Sequence, residues 1–200
     1  MEEKEFMNFK VRGSFFATVR RKGKIIEKIE KHNLIVNTSC RIIAKALAGA
    51  AYGLDSFEHQ ISKIGIGTFL GQPSSWPESS VDKTQLDGVR YSKNLILLEG
   101  TYPNIEVKPV IQGDGTSWIE YDETNSPNDV GYRFYIAPEE FNSGDPNNPT
   151  LIWEFGLLRQ DDTLFSMITR ADMGKGTPIE KDEDVDISGY WKIQVRNTSL

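Results

Sequence analysis

The sequence offers few side chains that could act as nucleophiles or general bases. His32 and His59 are the two histidines, and Cys40 is the one cysteine. Neither histidine has a carboxylate at a diagnostic spacing, and no serine lies in a G-x-S-x-G motif. An enzyme that uses Asp114 or Glu120 as acid or base on a β-sheet frame is kept as an alternative, although no two acids share a recognisable motif. We therefore expect no catalytic residue and a protein that is not an enzyme.

Acidic and glycine-rich segments are the candidates for metal and phosphate binding. Residues 182–186 contain four acids in five positions, and residues 113–115 and 144–145 are Gly–Asp turns that tolerate calcium. None of them has the spacing D-x-[DN]-x-[DN]-G-x5-E that wraps oxygen ligands around Ca²⁺. The glycine pairs in residues 65–67 and 174–176 lack the full phosphate-binding motifs and predict turns or bulges. We expect no metal site, no cofactor-binding site and no cofactor.

The charge distribution argues against nucleic acid as a general partner. The chain has 23 Lys and Arg against 29 Asp and Glu, so its formal net charge is −6. An acidic protein binds the phosphate backbone poorly. The basic residues are clustered, because nine Lys or Arg fall within the first 31 residues and leave the remainder strongly acidic. The basic segment is interpreted either as a solvated hairpin or as a surface for an acidic neighbour, such as another copy of the chain.

Aromatic side chains supply the remaining chemistry for binding. Trp76 lies in a Pro-rich segment, and Trp118 and Tyr121 lie near a glycine-containing turn. Trp153 and Trp191 lie in strong strand patterns, where a tryptophan is usually part of the core. A carbohydrate- or receptor-binding module that uses Trp76, Trp118 and Tyr121 is therefore kept as an alternative function, with a glycan as its partner.

Period-two alternation of apolar and polar residues dominates the sequence and predicts strands. The basic turn at residues 21–23 and the polar turn at residues 160–163 each predict a hairpin. One stretch changes period, since its apolar residues from Ile42 to Ala50 follow helical spacing, with Thr38 and Ser39 as suitable N-caps. The predicted strands are residues 9–20, 25–29, 33–37, 61–67, 90–101, 104–112, 117–121, 131–137, 150–159, 164–170 and 190–196.

These elements predict a mainly β fold: an antiparallel β-sandwich or jelly-roll-like domain with one short amphipathic helix at about 39–51. A length of 200 residues suits a single domain over residues 1–200. Long loops are expected at about 69–83 and 112–129. No apolar run approaches the roughly 18–20 residues that span a bilayer, and the charged N-terminus lacks the apolar part of a secretory signal. No membrane partner is expected.

A series of short motifs follows along the chain, at residues 32–38, 42–50, 61–68, 84–86 with Arg90, 152–158, 164–170, 178–181 and 190–195. Their order resembles a diffuse group of tailed-bacteriophage virion proteins, which are tail, baseplate, neck or fibre components. The resemblance covers roughly residues 20–196, and its motifs are short and structural. It implies a β-sandwich subunit of a virion, assembled in the bacterial cytoplasm, whose partners are other copies of itself and neighbouring virion proteins. A lone thiol suits that reducing compartment.

One acidic residue inside these motifs has a specific prediction. Alternation in the strand at residues 150–159 places Glu154 on the face opposite to Trp153 and Phe155. If a neighbouring subunit covers that face, we expect Glu154 to pair there with a base such as Arg170.

Overall fold

A computed structural model describes residues 9–37, 39, 61–68, 80–99, 106–112, 115–122, 124–143, 145 and 147–197. These residues form twelve strands. The helix predicted at about 39–51 lies outside the described residues apart from Ser39, and so does most of the predicted loop at 69–83. The strands are β1 (Phe9–Arg21), β2 (Lys24–Ile35), β3 (Ile61–Thr68), β4 (Val89–Asn94), β5 (Ile96–Glu99), β6 (Glu106–Gln112), β7 (Gly115–Tyr121), β8 (Asp129–Ile136), β9 (Thr150–Arg159), β10 (Leu164–Thr169), β11 (Ile179–Lys181) and β12 (Val185–Asn197).

The first hairpin shows how local sequence sets this structure. Two residues, Lys22 and Gly23, connect β1 to β2 with φ angles of 51° and 74°. Positive φ at both positions is the geometry of a two-residue type I′ turn, which suits the twist of a hairpin. The register then shifts, because Val19 pairs with Glu27 while Arg20 pairs with Ile25. The predicted hairpin is confirmed, with a β-bulge close to its turn.

The strands follow one antiparallel path that curls back on itself. Their order is β4-β3-β9-β10-β2-β1-β12-β8-β7-β6-β5, and β11 pairs with β9. Long β2 pairs with β1 over most of its length and with β10 only at Leu34 and Ile35. The two ends of the path, β4 and β5, are consecutive in the chain and are separated only by buried Leu95. The sheet is therefore nearly closed into a barrel.

The main core lies between the two halves of the curled sheet. The ring of Phe15 on β1 lies 5.1 Å from that of Phe155 on β9 and 4.9 Å from that of Trp191 on β12. Phe134 on β8 also packs on Phe155, at 6.3 Å. The ring of Phe155 thus joins β9 to β1 and β8, which are distant from it in the path. Burial of these rings supplies a large apolar stabilisation.

Strand β9 is buried on both faces. Its outer face packs in a second cluster, in which Leu158 contacts residues from β10 and Leu86 from the segment 80–88. That segment crosses the outside of the sheet before β4 begins. Polar groups on this side of β9 are consequently removed from water and need partners there.

The mainly β, antiparallel prediction is confirmed, whereas a sandwich or jelly roll is not confirmed, since the strands follow one nearly closed path. The strands predicted at 25–29 and 33–37 are one strand, β2, and the strand predicted at 90–101 is interrupted at Leu95. The predicted loop at 112–129 contains β7, in agreement with the strand predicted at 117–121. Sequence reasoning missed the three-residue strand β11. A single domain over residues 1–200 stays a prediction.

Candidate binding groove on the outer sheet face

Five neighbouring strands, β2, β1, β12, β8 and β7, form a groove on their outer face. Alternate residues of these strands point into the core, and the others face outward. The groove has a volume of about 1150 Å³. Its lining side chains include Phe16, Thr18, Arg20, Lys28, Glu30, Thr116, Glu120, Arg133, Tyr135, Asp186, Ser188 and Tyr190.

The registers of the strands place five outward residues in one row across the sheet. Phe16 lies opposite Glu30 on one side and Tyr190 on the other. Tyr190 in turn lies opposite Arg133, which lies opposite Trp118 on β7. Four interstrand steps make this row about 19 Å long, at about 4.8 Å per step. We call these five residues the aromatic row.

A second row runs beside the aromatic row. It consists of Lys28, Thr18, Ser188 and Tyr135, which are successive cross-strand neighbours on β2, β1, β12 and β8. Its hydroxyls and ammonium group supply hydrogen-bond donors and acceptors along the length of the groove.

Two glycines let the tyrosine rings lie against the sheet. A Cβ atom at Gly131 would overlap the ring and hydroxyl of Tyr190, and one at Gly115 would overlap the ring of Tyr135. Each ring therefore lies on a glycine of the adjacent strand, and each also lines the groove. The arrangement holds both aromatic surfaces in place at low cost in conformational entropy.

Charged side chains of the groove are balanced in sign. Arg20 donates from Nη1 to Asp186 Oδ1 (3.2 Å) and to Ser188 Oγ (2.8 Å). Arg133 donates from Nε (2.9 Å) and Nη2 (2.6 Å) to Glu120 Oε1. Lys28 and Glu30 add one charge of each sign. The groove thus carries three cations and three anions.

The hydroxyl of Tyr190 remains protonated at neutral pH. Burial raises the pKa of Tyr190, and the negative charge of Glu120 raises it further. A protonated phenol both donates and accepts hydrogen bonds. The groove can therefore bind a ligand through ring faces and hydrogen bonds, and its lining residues contain no nucleophile paired with a base.

Glu154 lies on the predicted face of β9, but its predicted partner was wrong. Its buried carboxylate accepts a hydrogen bond from Lys83 Nζ (2.9 Å) and another from the backbone N–H of Asp87. Burial raises the pKa of Glu154, although both contacts oppose that shift. The segment 80–88 of the same chain, and not a neighbouring subunit, supplies this partner because it covers the outer face of β9.

Arg170 pairs with a different acid. Its guanidinium donates to both carboxylate oxygens of Glu27 on β2, at 2.9 and 3.1 Å, and its Nε donates to the carbonyl of Thr177 at 2.9 Å. Arg170 is only 3% exposed. This bidentate pair joins β2 to the turn after β10 and has a structural role.

Lys181 on β11 is a fully buried cation, and no carboxylate of the described residues contacts it directly. Its Nζ donates to the carbonyl of Pro138 (2.7 Å), to Oδ1 of Asn142 (2.9 Å) and to the carbonyl of Asp182 (3.0 Å). Burial lowers the pKa of Lys181 to about 8, and nearby acids such as Asp182 oppose the shift. All three ammonium protons are used, so Lys181 fastens the loop after β8.

The acidic run at residues 182–186 meets the basic first hairpin within the same chain. Besides the Arg20 contact already described, Arg21 donates to Asp182 Oδ2 at 2.6 Å, and Lys22 lies 3.1 Å from Asp184. Because β1 and β12 are paired, these charges neutralise each other inside the chain. Among the described residues, no group of three or more His, Cys, Asp or Glu is placed to hold a metal ion.

The structure separates the other residues singled out from the sequence. His32 is exposed on β2, with its Nδ1 3.5 Å from Ser14 Oγ. Alternation along β7 places Trp118 and Tyr121 on opposite faces, so they do not form one platform. Glu120 pairs with Arg133 and has no second acid beside it in the described part of the groove. His59, Cys40, Asp114 and Trp76 lie outside the described residues.

Sequence reasoning missed Phe16, Tyr135 and Tyr190 as binding candidates. A local signal existed, because Phe16 interrupts the polar positions of β1, and Tyr190 lies on the face of β12 opposite to buried Trp191. The convergence of the three rings depends on the pairing of β1 with β12 and of β12 with β8, which no local pattern indicates.

No protein-family model matches the chain, and neither a curated protein nor a solved structure matches it. The resemblance to phage virion proteins therefore stays a prediction. Within the part of the chain that the structure describes, no helix has the length and apolar character needed to cross a membrane.

Proposed function

We propose that the protein is a non-enzymatic structural component of a tailed-bacteriophage virion, in its neck, tail or baseplate region. It acts by packing against other copies of itself and against neighbouring virion proteins, and it is assembled in the host bacterial cytoplasm. The proposal includes a sandwich- or jelly-roll-like subunit with its helix at about 39–51. The order of motifs supports it, as does the antiparallel β architecture.

The unpaired outer edge of β2 is the main structural support for a role in subunit packing. Residues 24–33 of this strand pair with β1 on one side, and no described strand pairs with their other side. Ile25 and Ile26, near the turn, are 53% and 57% exposed. An open strand edge with exposed isoleucines is a surface that another protein can cover by strand pairing and apolar contact.

Charge on the same strand favours an acidic partner surface. Lys24, Lys28 and Lys31 are exposed on β2, and no ion pair links them to the described acids. The acidic remainder of a second copy supplies the opposite sign. Such complementary charges orient two proteins as they approach each other.

Light scattering of the purified chain tests the packing role. We expect a species larger than the 22.6 kDa monomer and its conversion to monomer in the Ile26→Lys variant. Ile111→Lys is the matched control, because Ile111 is 72% exposed on β6, away from this edge. Two results together would contradict the proposal: the wild-type chain is a monomer at all concentrations, and it is absent from the density of a particle reconstructed from the phage that encodes it.

A second candidate function is a carbohydrate- or receptor-binding module of a phage fibre. The groove favours it, because Phe16, Tyr135 and Tyr190 present aromatic rings among hydrogen-bonding groups. Of the residues that the sequence predicts for this function, Trp118 lies in the aromatic row, Tyr121 lies on the other face of β7, and Trp76 lies outside the described residues.

A further inference from the structure

We propose that the groove binds a neutral oligosaccharide, which lies along the aromatic row from Glu30 to Trp118. The inference goes beyond subunit packing and rests on the second candidate function, to which it assigns a site and a ligand class. Three features of the groove support the inference: the aromatic rings that lie against the sheet, the equal numbers of positive and negative charges, and the direction of the aromatic row across the strands.

The rings suit the apolar faces of sugars. Phe16 and Tyr190 are direct cross-strand neighbours, and Tyr135 lies in the adjacent row, one strand further along. Two of the three rings are held against the sheet by glycine positions, so little rotamer freedom is lost when a ligand stacks on them. The C–H groups of a pyranose present a flat apolar surface to such rings, while its hydroxyls point sideways.

Those sideways hydroxyls meet charged groups that are already paired. Arg133 belongs to the row and pairs with Glu120, while the pair of Arg20 and Asp186 lies beside the row; each guanidinium has five N–H groups and uses two of them in the hydrogen bonds described above. Hydrogen bonds to charged groups are stronger than those between neutral groups. A ligand rich in hydroxyls can use both members of each pair without breaking it.

The balance of charge selects a neutral ligand. Three cations and three anions line the groove, so a polyanion gains no net attraction and meets Glu30, Glu120 and Asp186. Nucleic acids need an excess of cations along their path. An acidic polysaccharide is disfavoured for the same reason.

The direction of the row argues against an extended peptide. Peptides that add to a sheet run along an edge strand and use its backbone hydrogen bonds. The aromatic row instead crosses five strands over a length of about 19 Å, and the three strands in its middle, β1, β12 and β8, are hydrogen-bonded to a neighbour on each side. This length accommodates several linked sugars rather than one.

A glycan array with matched variants tests the inference. The probes are neutral linear hexasaccharides of glucose, galactose, mannose and N-acetylglucosamine, together with sulfated oligosaccharides and single-stranded DNA. We expect binding to at least one neutral hexasaccharide, and a loss of affinity of about tenfold or more in Tyr190→Ala and Phe16→Ala. Tyr190→Phe keeps the ring and retains most of the affinity. Tyr121→Ala is the matched control, since it removes an exposed tyrosine from the other face of β7 and leaves binding unchanged.

Circular dichroism of each variant separates lost binding from lost folding, and Tyr190→Phe provides a second test at the same position. No binding of any neutral probe by the folded protein would overturn the inference, as would stronger binding of the sulfated probes or the DNA. Light scattering of the same samples keeps the two proposals apart. Loss of assembly in Phe16→Ala would make the groove an interface between copies and overturn the inference, whereas intact assembly without glycan binding would overturn the inference alone.

Discussion

Lys83 and Glu154 form an ion pair, 2.9 Å between Nζ and Oε2, that fastens the segment 80–88 onto the outer face of β9. The same ammonium group donates to Asp87 Oδ2 at 2.6 Å. Although burial disfavours its charged form, the hydrogen bond to Asp87 and the charge of Glu154 raise the pKa of Lys83. This ion pair lies beside Leu86 of the same segment, which packs against β9 and β10.

Removal of the lysine leaves a buried carboxylate without its counter-ion. We expect Lys83→Met to lower the free energy of unfolding by about 3–5 kcal/mol, as for other buried pairs that lose one partner. The double variant Lys83→Met with Glu154→Gln loses less than the sum of the two single losses, because no uncompensated charge remains. Urea denaturation of the three proteins measures these values.

The exposed pair of Lys22 and Asp184 provides the control for this prediction. Its side chains are 72% and 41% exposed, so Lys22→Met changes stability by no more than about 1 kcal/mol. Equal losses for Lys83→Met and Lys22→Met would show that segment 80–88 is not held by a buried ion pair.

Adjacent phenylalanines on β1 have opposite roles. Phe15 is fully buried against Phe155 and Trp191, whereas Phe16 lines the groove. We expect Phe15→Ala to destabilise the protein by about 3–5 kcal/mol through the cavity that it leaves, and Phe16→Ala to cost far less. Thermal denaturation compares the two variants, and a larger loss for Phe16→Ala would reverse the assignment of the two faces.

Lys181 makes stability depend on pH in a defined window. Its pKa is about 8 in the folded protein and 10.5 as an ordinary lysine, so between these values the unfolded chain binds more protons. The free energy of unfolding therefore rises with pH across this window. Lys181→Met lacks this contribution. We expect the stability difference, wild type minus variant, to grow between pH 7.5 and pH 10 in urea denaturation, and a constant difference would contradict the lowered pKa.

Replacement of Arg170 by lysine is expected to lower the stability of the folded protein. Its guanidinium binds both oxygens of Glu27 and the carbonyl of Thr177, a geometry that an ammonium group cannot reproduce. We expect Arg170→Lys to lower the free energy of unfolding by about 1–3 kcal/mol. Arg133→Lys, at an ion pair with 55% and 38% exposed side chains, serves as the control and costs less than about 1 kcal/mol. Similar losses in the free energy of unfolding for Arg170→Lys and Arg133→Lys would argue against a stabilising role of the bidentate contact between Arg170 and Glu27.

Features encoded within a few residues were predictable. The alternation predicted on β1 is observed from Val11 to Val19, as is the turn at Lys22 and Gly23, and both follow from local sterics. The outward direction of Glu154 also followed from alternation. Its partner did not, because the position of segment 80–88 over β9 depends on tertiary packing around Leu86.

The groove could not be predicted from the alternation of apolar and polar residues. Phe16 and Tyr190 each fit an ordinary strand, and only the register of β1 against β12 makes them neighbours. Alternation gives equally little information on which charged segments meet. Basic and acidic segments distant in sequence suggested contact between copies, but pairing of these strands brings Arg20 to Asp186 within one chain.

The pairing of β1 with β12 also sets the order in which the chain can fold. β1 gains its second neighbour only when residues 185–197 are present, near the other end of the sequence. Until then Phe15 and Val19 have neither Trp191 nor Ile187 beside them, and one edge of β1 is unpaired. Contacts of such large sequence separation slow folding. During synthesis on the ribosome, the hairpin of β1 and β2 therefore keeps an unpaired edge until β12 has been made, and unpaired strand edges of this kind favour aggregation.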